Sequence, residues 1–414
     1  MEVVRRSISR GKDMIDYEEK SKQTSFGRHS KIKVPTGFLI EQPYMTKYDL
    51  QDCQDDLLID EYHNAYRNEL QIIRTSGSTG KIVEVFWSKE DYLASNLCLW
   101  RLRKRFYNIQ NSDYCLTFHS TMYNGTQAGD YRELEMLENN TSLSISKFSL
   151  SLDTFKKYAE KIRSLPVQWI STQPSTLLIL TNIMKEYAID VKALFPQLRY
   201  IELNGEILFD GVRQLFENYF DVPVANLYGS SEVNGIAYQC PRGHLHIVDR
   251  NVRVQLFHYR QVSDGVFEGD IAVTSLHNKV MPIISYALGD RVIVDNNVLC
   301  DYCQTPVINV LIGRSNDNIS ISETRRISSY QLSYWIERVN AEIGNPVLEY
   351  KLKTDDAKPV LYLYVRKEFK GWDNVIIRRL DNLIQEQKPS VKFGYICYDH
   401  PIELSSNGKV RSVE

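Results

Sequence analysis

The sequence predicts an α/β protein: a large N-terminal domain of βαβ units with a small β subdomain, followed by a small α+β C-terminal domain. Between residues 72 and 228, short apolar runs alternate with amphipathic helical patterns, which is how βαβ units and a parallel sheet read in sequence. Residues 251–313 turn β-rich with glycine turns, and residues 314–414 carry their own helix–strand–strand–helix–strand pattern. The length of 414 residues agrees, because it exceeds what one hydrophobic core usually supports.

Residues 1–70 read as helix and loop. "VPTGFLIEQPYMTKYDLQD" is punctuated by prolines, and a helix is expected to start within Lys47–Leu50. From Ile72 the order is strand, glycine turn, strand. "SKEDYLASNLCLWRLRKRFYN" then opens with a Ser88 N-cap and acidic first-turn residues ahead of apolar residues at helical spacing. "DYCLTFHS" and "VQWISTQ" are short buried strands, and "PSTLLILTNIMKEYAI" is the helix after the second. "LRYIELNGE" is a strand ending in a polar turn, "FDGVRQLFENYF" an amphipathic helix, and "PVANLYGSSE" again strand then turn. In parallel sheets ligands sit at the carboxyl ends of the strands, where these polar turns lie. The β subdomain holds "VRVQLFHYRQ", "GDIAVTSL" and "RVIVDNNVLC". Gly313-Arg314 is the expected boundary between domains 1–313 and 314–414. Beyond it come a helix near "SSYQLSYWIERVNAEI", strands "LEYKLKT" and "PVLYLYVRK", a helix "NVIIRRLDNLIQEQ" and a strand "VKFGYICY".

A hydrophobic content of 43% and a charged content of 25% are those of a soluble globular protein. A formal net charge of −2 gives no reason to expect nucleic acid or a membrane surface as partner. The basic clusters "RRSISRGK" and "KSKQTSFGRHSKIK" fit a solvated arm better than a nucleic-acid contact. No apolar h-region follows the first charges, and no apolar stretch is long enough to span a bilayer, so a cytoplasmic protein is expected. Seven cysteines scattered through a long chain argue for reduced thiols, some of them metal ligands, against a disulfide scaffold.

"IIRTSGSTGKIVEVFWS", residues 72–88, crowds hydroxyls and glycines into a turn between two β-prone runs. Such a turn can bend sharply and present N–H groups and hydroxyls to an anion. A Walker A loop is excluded by spacing, because Thr75 stands where its first glycine belongs and Ile82 follows Lys81. Taken alone, the segment is equally a plain turn rich in small polar residues.

Five motifs then occur in one order: "TSGSTGK", "LNGEIL", "NLYGSSE", "YALGDRV" with "IGRSND", and "SSNGKVRS" near residue 409. This order resembles the adenylate-forming superfamily of acyl-CoA synthetases, peptide-synthetase adenylation domains and luciferases. "CPRGHLHIVD" after "YGSSE", and the "TKYDL" entry segment, are most similar to the phenylacetate–CoA ligase branch, and the resemblance covers nearly the whole chain. It implies attack of a carboxylate on the α-phosphate of ATP, with Mg²⁺-pyrophosphate leaving. Thr75, Ser76, Gly77, Ser78, Thr79, Gly80 and Lys81 would cradle the β- and γ-phosphates. Asn204, Gly205 and Glu206 would flank the adenine, Tyr228 would stack on it, and Gly229, Ser230 and Ser231 would line the phosphates. Glu232 would bind Mg²⁺ as a hard oxygen ligand, and Asp290 would accept from both ribose hydroxyls. Arg314 would hold ribose or phosphate, and Lys409 would meet the reacting carboxylate and α-phosphate with its compact charge. His119, Gln173 and Asn234 are the expected pocket residues. Two departures from the pattern stand out: Ala287-Leu288 precede Gly289-Asp290 where relatives carry an arginine, and the hinge position is Asn316, followed by Asp317.

"CPRGHLH" and "CDYC" are not explained by ATP. A C-x-x-C pair joined by Cys and His elsewhere suits a closed structural zinc site, here Cys240, Cys300, Cys303 and one histidine. His244 and His246 both qualify, and the resemblance favours His246. A redox pair and plain buried thiols are the alternatives.

The expected function is ATP-dependent activation of a carboxylic acid, aryl or arylacetic by resemblance, to an acyl-adenylate and then to a thioester of coenzyme A. An adenylating enzyme that loads the phosphopantetheine of an acyl carrier protein or forms an amide is the alternative; a nucleotide-binding scaffold is another. A dimer is the expected assembly.

Overall fold

A computed structural model describes residues 19–53, 55–63, 69–76, 82–119, 122–124, 131–133, 136–146, 152–314, 318–322, 325–344, 346–355, 358–387 and 391–399. The chain divides into two units, residues 1–108 with 226–315 and residues 109–225 with 316–414.

In the first unit the hairpin around the glycine turn is antiparallel, Gln71–Ser76 against Ile82–Trp87, in register from Gln71 opposite Trp87 to Ser76 opposite Ile82. The helix expected after Ser88 runs over Lys89–Tyr107. Ser88 Oγ accepts from the Asp91 amide at 3.1 Å, and Asn108 ends the helix in the left-handed region. The shorter helix Lys47–Asp52 begins where "TKYDL" predicts, with the Asp49 carboxylate accepting from the Thr46 amide at 2.6 Å. Seven strands form an antiparallel sequence of neighbours: Val252–Ser263, Val266–Ser275, Tyr286–Asp295, Val307–Arg314, Leu245–Ile247, Asn234–Gln239 and the end of Val224–Ser230. Their apolar residues recur with period two, as in Val252, Val254 and Leu256, or Val292 and Val294, so one face of these stretches is apolar. Val83, Val85, Phe86 and Trp87 of the hairpin, with Met45 and Leu50, bury into that core. Each fully buried large side chain contributes about 1.5–3 kcal/mol.

The second unit holds the βαβ region. Ser142–Ser146, Cys115–His119, Trp169–Thr172 and Tyr200–Asn204 are parallel neighbours in that order, and Met136–Asn139 adds an antiparallel strand beside the first. Helices Leu152–Arg163, Pro174–Glu186 and Asp210–Phe220 supply Phe155, Tyr158 and Ile162, then Leu177, Leu180 and Met184, then Val212, Phe216 and Phe220. These three- and four-residue intervals are the apolar stripes of helices packed on a sheet. Val224–Ser230 is the expected strand followed by a turn, and the chain then pairs antiparallel with it. Only three residues separate it from Asn234–Gln239, which permits a hairpin and no crossover helix.

The C-terminal elements of this unit follow the predicted order: helix Ser329–Ile343, strands Val347–Asp355 and Lys358–Val365, helix Asp373–Gln387 and strand Gly394–Tyr398. The last strand is parallel to its neighbour, and it starts only at Gly394, later than "VKFGYICY" suggests. Trp335, Ile336, Leu352, Leu363, Leu380 and Ile384 fill the core between helices and sheet. Leu348 and Tyr364 leave this core and join the one around Leu177 and Phe216. There Asn182 Nδ2 donates to Tyr364 Oη at 2.5 Å, and burial pushes the phenol up to about 12. Among the described residues no helix is long and apolar enough to cross a membrane.

Candidate active site

The turn of "NLYGSSE" is built by close backbone approach. A Cβ on Gly229 would lie 2.6 Å from the Asn234 carbonyl oxygen, so only glycine lets the two strands meet there. Asn234 closes the turn in the left-handed region, with φ of 62°. Its amide donates to Ser95 Oγ at 2.9 Å, and Ser95 donates to Asn251 Oδ1 at 2.7 Å. The Asn251 amide in turn donates to the carbonyls of Val233 and Gly235 at 2.8 and 2.7 Å. Asn251 is fully buried with each of these bonds made, so the turn carrying Glu232 is tied from below. The Asn234 side chain, expected in a pocket, is thus engaged with Ser95.

Two tyrosines reach the carboxylates of this unit. Tyr228 Oη donates to Asp290 Oδ2 at 2.7 Å, and Tyr286 Oη donates to Glu232 Oε1 at 3.2 Å. Asp290 follows Gly289, whose φ is +84°, and the strand pairing shifts register between Asp290 and Arg291. That bulge aims Asp290 out of the regular alternation. The register places Arg314 directly across from Asp290. Ser230 Oγ is buried without a hydrogen-bond partner, and Ser231 is exposed.

In the second unit, the expected residues gather at the ends of the parallel strands. His119 Nδ1 lies 2.9 Å from Ser144 Oγ on the neighbouring strand. Asn204 Nδ2 donates to Ser171 Oγ at 3.3 Å. Gly205 has φ of +78°, and a Cβ there would stand 3.2 Å from Gln173 Nε2. Glu206 accepts from the Ser175 amide at 3.0 Å and from Ser175 Oγ at 2.9 Å, capping the helix that begins at Pro174. Thr75 and Ser76 sit on the hairpin backbone opposite Val83 and Ile82. Gly77, Ser78, Thr79, Gly80, Lys81, Asn316, Asp317 and Lys409 lie outside the described residues.

No family model matches the chain. Protein CapK of Staphylococcus aureus is 22% identical over 374 residues, which cover 88% of this chain and 75% of that protein. A 2-hydroxyisobutyryl-CoA ligase in its postadenylation state, in complex with R3-HIB-AMP, superposes over all of this chain and 88% of its own with a TM-score of 0.69 at 11% identity. The anthranilate CoA ligase AuaEII, in complex with anthranoyl-AMP, gives a TM-score of 0.51 at 14% identity over 82% of this chain and 65% of its own. The chain has the fold of adenylate-forming ligases.

On this ligase fold a second polar cluster stands in the first unit. Cys240, His244, His246 and Cys300 bring one ligand atom each to within 4.8 Å of one another. The two thiols lie 3.7 Å apart. His246 Nδ1 lies 3.0 Å from the Thr305 carbonyl oxygen and so carries the proton, leaving Nε2 as a lone pair. That Nε2, and Nδ1 of His244, are buried without hydrogen-bond partners. Burial pushes the Cys240 thiol up and the His246 imidazole down. Two thiols and two inward lone pairs, one imidazole fixed by a carbonyl behind it, make a donor set that suits tetrahedral zinc. The structure therefore brings together Cys240, His246 and Cys300 and adds His244, so both candidate histidines are present. Cys303 packs beside the core that holds Cys240 and Cys300 without joining the four mutually close donors, and its Sγ lies 3.3 Å from Thr305 Oγ1. Against the cluster pack the last turns of the 89–107 helix. Phe106 stacks on Tyr238 with 6.2 Å between ring centroids and meets the Tyr302 ring edge-on at 5.8 Å. Tyr107 Oη donates to the Gln239 carbonyl at 2.8 Å.

Ser95 and Asn251 carry no sequence signal that singles them out, and Tyr286 stands in "YALGDRV" without a role that the motif assigns. Their roles rest on partners 16 to 156 positions away.

Proposed function

We propose that the protein activates a carboxylic acid with ATP and passes the acyl group to a thiol, with coenzyme A as acceptor and an aryl or arylacetic acid as substrate. One observation carries this most directly. "YGSSE" and "YALGD", separated by some sixty residues, are joined by two hydroxyl–carboxylate bonds, Tyr228 to Asp290 and Tyr286 to Glu232. The ligase fold and the order of the five motifs support the same reading.

The chemistry needs a carboxylate oxygen to attack the α-phosphorus while the bond to the bridging β-phosphate oxygen breaks. Pyrophosphate leaves, and a thiolate then attacks the acyl carbon, releasing AMP. Asp290 is suited to accept from the ribose hydroxyls once Tyr228 Oη gives way, and the Tyr228 ring offers a face to the adenine. Glu232 would hold Mg²⁺, which offsets charge on the departing pyrophosphate. Asn204, Gly205 and Glu206 are proposed for the adenine; Glu206 can serve there only with the atoms its capping role leaves over. Residues 75–81 are proposed to grip the phosphates and Lys409 to meet the reacting oxygens, carried by a mobile domain 314–414. Zinc held by Cys240, His244, His246 and Cys300 would be a structural staple, since four protein donors leave no open position.

ATP–pyrophosphate exchange across a panel of carboxylic acids tests the proposal. Exchange with one acid class, and a coenzyme A thioester of that acid by mass, is the expected result. Binding of ATP with no exchange for any acid would leave only a nucleotide-binding scaffold. A product formed on a carrier domain but not on free coenzyme A would move the acceptor.

A further inference from the structure

Glu232 stands on a three-residue turn between two strands, and a glutamate side chain there has several rotamers to choose from. A metal ligand must be held in one. Among the described residues its hydrogen-bond partner is Tyr286, which is 2% exposed and packed in the core with Val273 and Ile284. The phenol reaches Oε1 and leaves Oε2 for a cation.

The backbone before Tyr286 is itself strained. Ser285 has φ of 41°, in the left-handed region that a serine seldom adopts. It is held there on both sides: its amide donates to Thr274 Oγ1 at 2.8 Å, and its carbonyl accepts from the Tyr44 and Met45 amides at 3.0 and 3.3 Å. Strain kept in place by three bonds is a structural expense that a plain strand start does not need. Here it turns the chain so that Tyr286 begins the strand with its hydroxyl on Glu232, while Asp290 emerges four residues later at the Gly289 bulge.

We propose that Tyr286 is a positioning residue: its hydroxyl fixes the Glu232 carboxylate for a divalent cation carried by a nucleoside triphosphate, and the left-handed Ser285 sets its aim. The proposal rests on the reading of Glu232 as a cation ligand, and the experiment separates the two. Binding of Mn²⁺·ATP is followed by electron paramagnetic resonance for the wild type, Tyr286→Phe, Glu232→Gln and the double variant, with melting temperatures alongside. Tyr286→Phe keeps the buried ring. It should weaken Mn²⁺ in the complex about tenfold or more, as expected for a lost hydrogen bond to a charged group, with melting nearly unchanged. The double variant should bind no worse than Glu232→Gln alone, because the phenol acts only through that carboxylate. Tyr286→Phe with wild-type Mn²⁺ affinity overturns the inference, whether or not melting falls. So does a double variant whose losses simply multiply. A Glu232→Gln protein that binds Mn²⁺·ATP like the wild type overturns the cation reading, and this inference with it.

Discussion

Two polar corners of the first unit satisfy their buried groups in opposite ways. At the carboxylate corner, Asp290 and Glu232 each already accept a tyrosine hydroxyl from within the chain. At the cysteine–histidine corner, nitrogens of His244 and His246 are buried with nothing to bond. A buried polar atom without a partner costs roughly 1–3 kcal/mol, and the proposed ion would remove that cost at the second corner. The two carboxylates of the first corner are satisfied from within the chain and can exchange internal bonds for ligand bonds, which suits reversible binding. One corner should lose stability when its ligand is removed; the other should lose affinity when its residues are changed.

The largest expected effect is at the cysteine–histidine corner. With zinc at a thousand times its dissociation constant, the ion contributes about 4 kcal/mol, which lowers the melting temperature by roughly 10 °C when it is stripped. Cys300→Ser should do the same without chelator, and elemental analysis should show zinc lost with the stability. Unchanged melting after complete zinc removal would break the contrast between the corners.

Asp290→Ala should act the other way, leaving melting within a few degrees while weakening ATP about tenfold to a hundredfold, read by calorimetric titration. An equal fall in stability and affinity would make Asp290 a structural partner of Tyr228 and nothing more. A smaller change sharpens the point. Tyr228→Phe keeps the ring and removes the hydroxyl that competes for Asp290, so ATP should bind about fivefold more tightly at most. Weaker binding would mean the hydroxyl contacts the nucleotide itself.

The smallest effect separates two ligand sets. Cys303→Ser should retain zinc and change stability by less than about 0.5 kcal/mol, because Cys303 stands outside the four clustered donors. Loss of zinc in Cys303→Ser with retention in His244→Ala would restore the set of three cysteines and one histidine.

What the sequence by itself determined follows from short-range physics. Ser88 caps its helix because an N-cap needs only the next three residues, and Val252, Val254 and Leu256 line one face because a strand alternates with period two. The motif order located Tyr228, Glu232 and Asp290 as candidates, and C-x-x-C with "CPRGHLH" located the cysteine–histidine corner. The partners were decided elsewhere. That Glu206 caps the helix at Pro174, that Asn234 is tied to Ser95 and that Tyr286 reaches Glu232 depends on strands arriving in one register across tens of residues. A slip of one residue would turn every side chain on a strand to the other face, and the shift beside Asp290 is a local change of that kind. That His244 rather than Cys303 is grouped with Cys240, His246 and Cys300 belongs to the same class. Spacing proposes which atoms can meet, but only the packed turns around Thr305 fix which of them point inward, because a side chain's direction is set by the backbone that carries it and by everything packed behind.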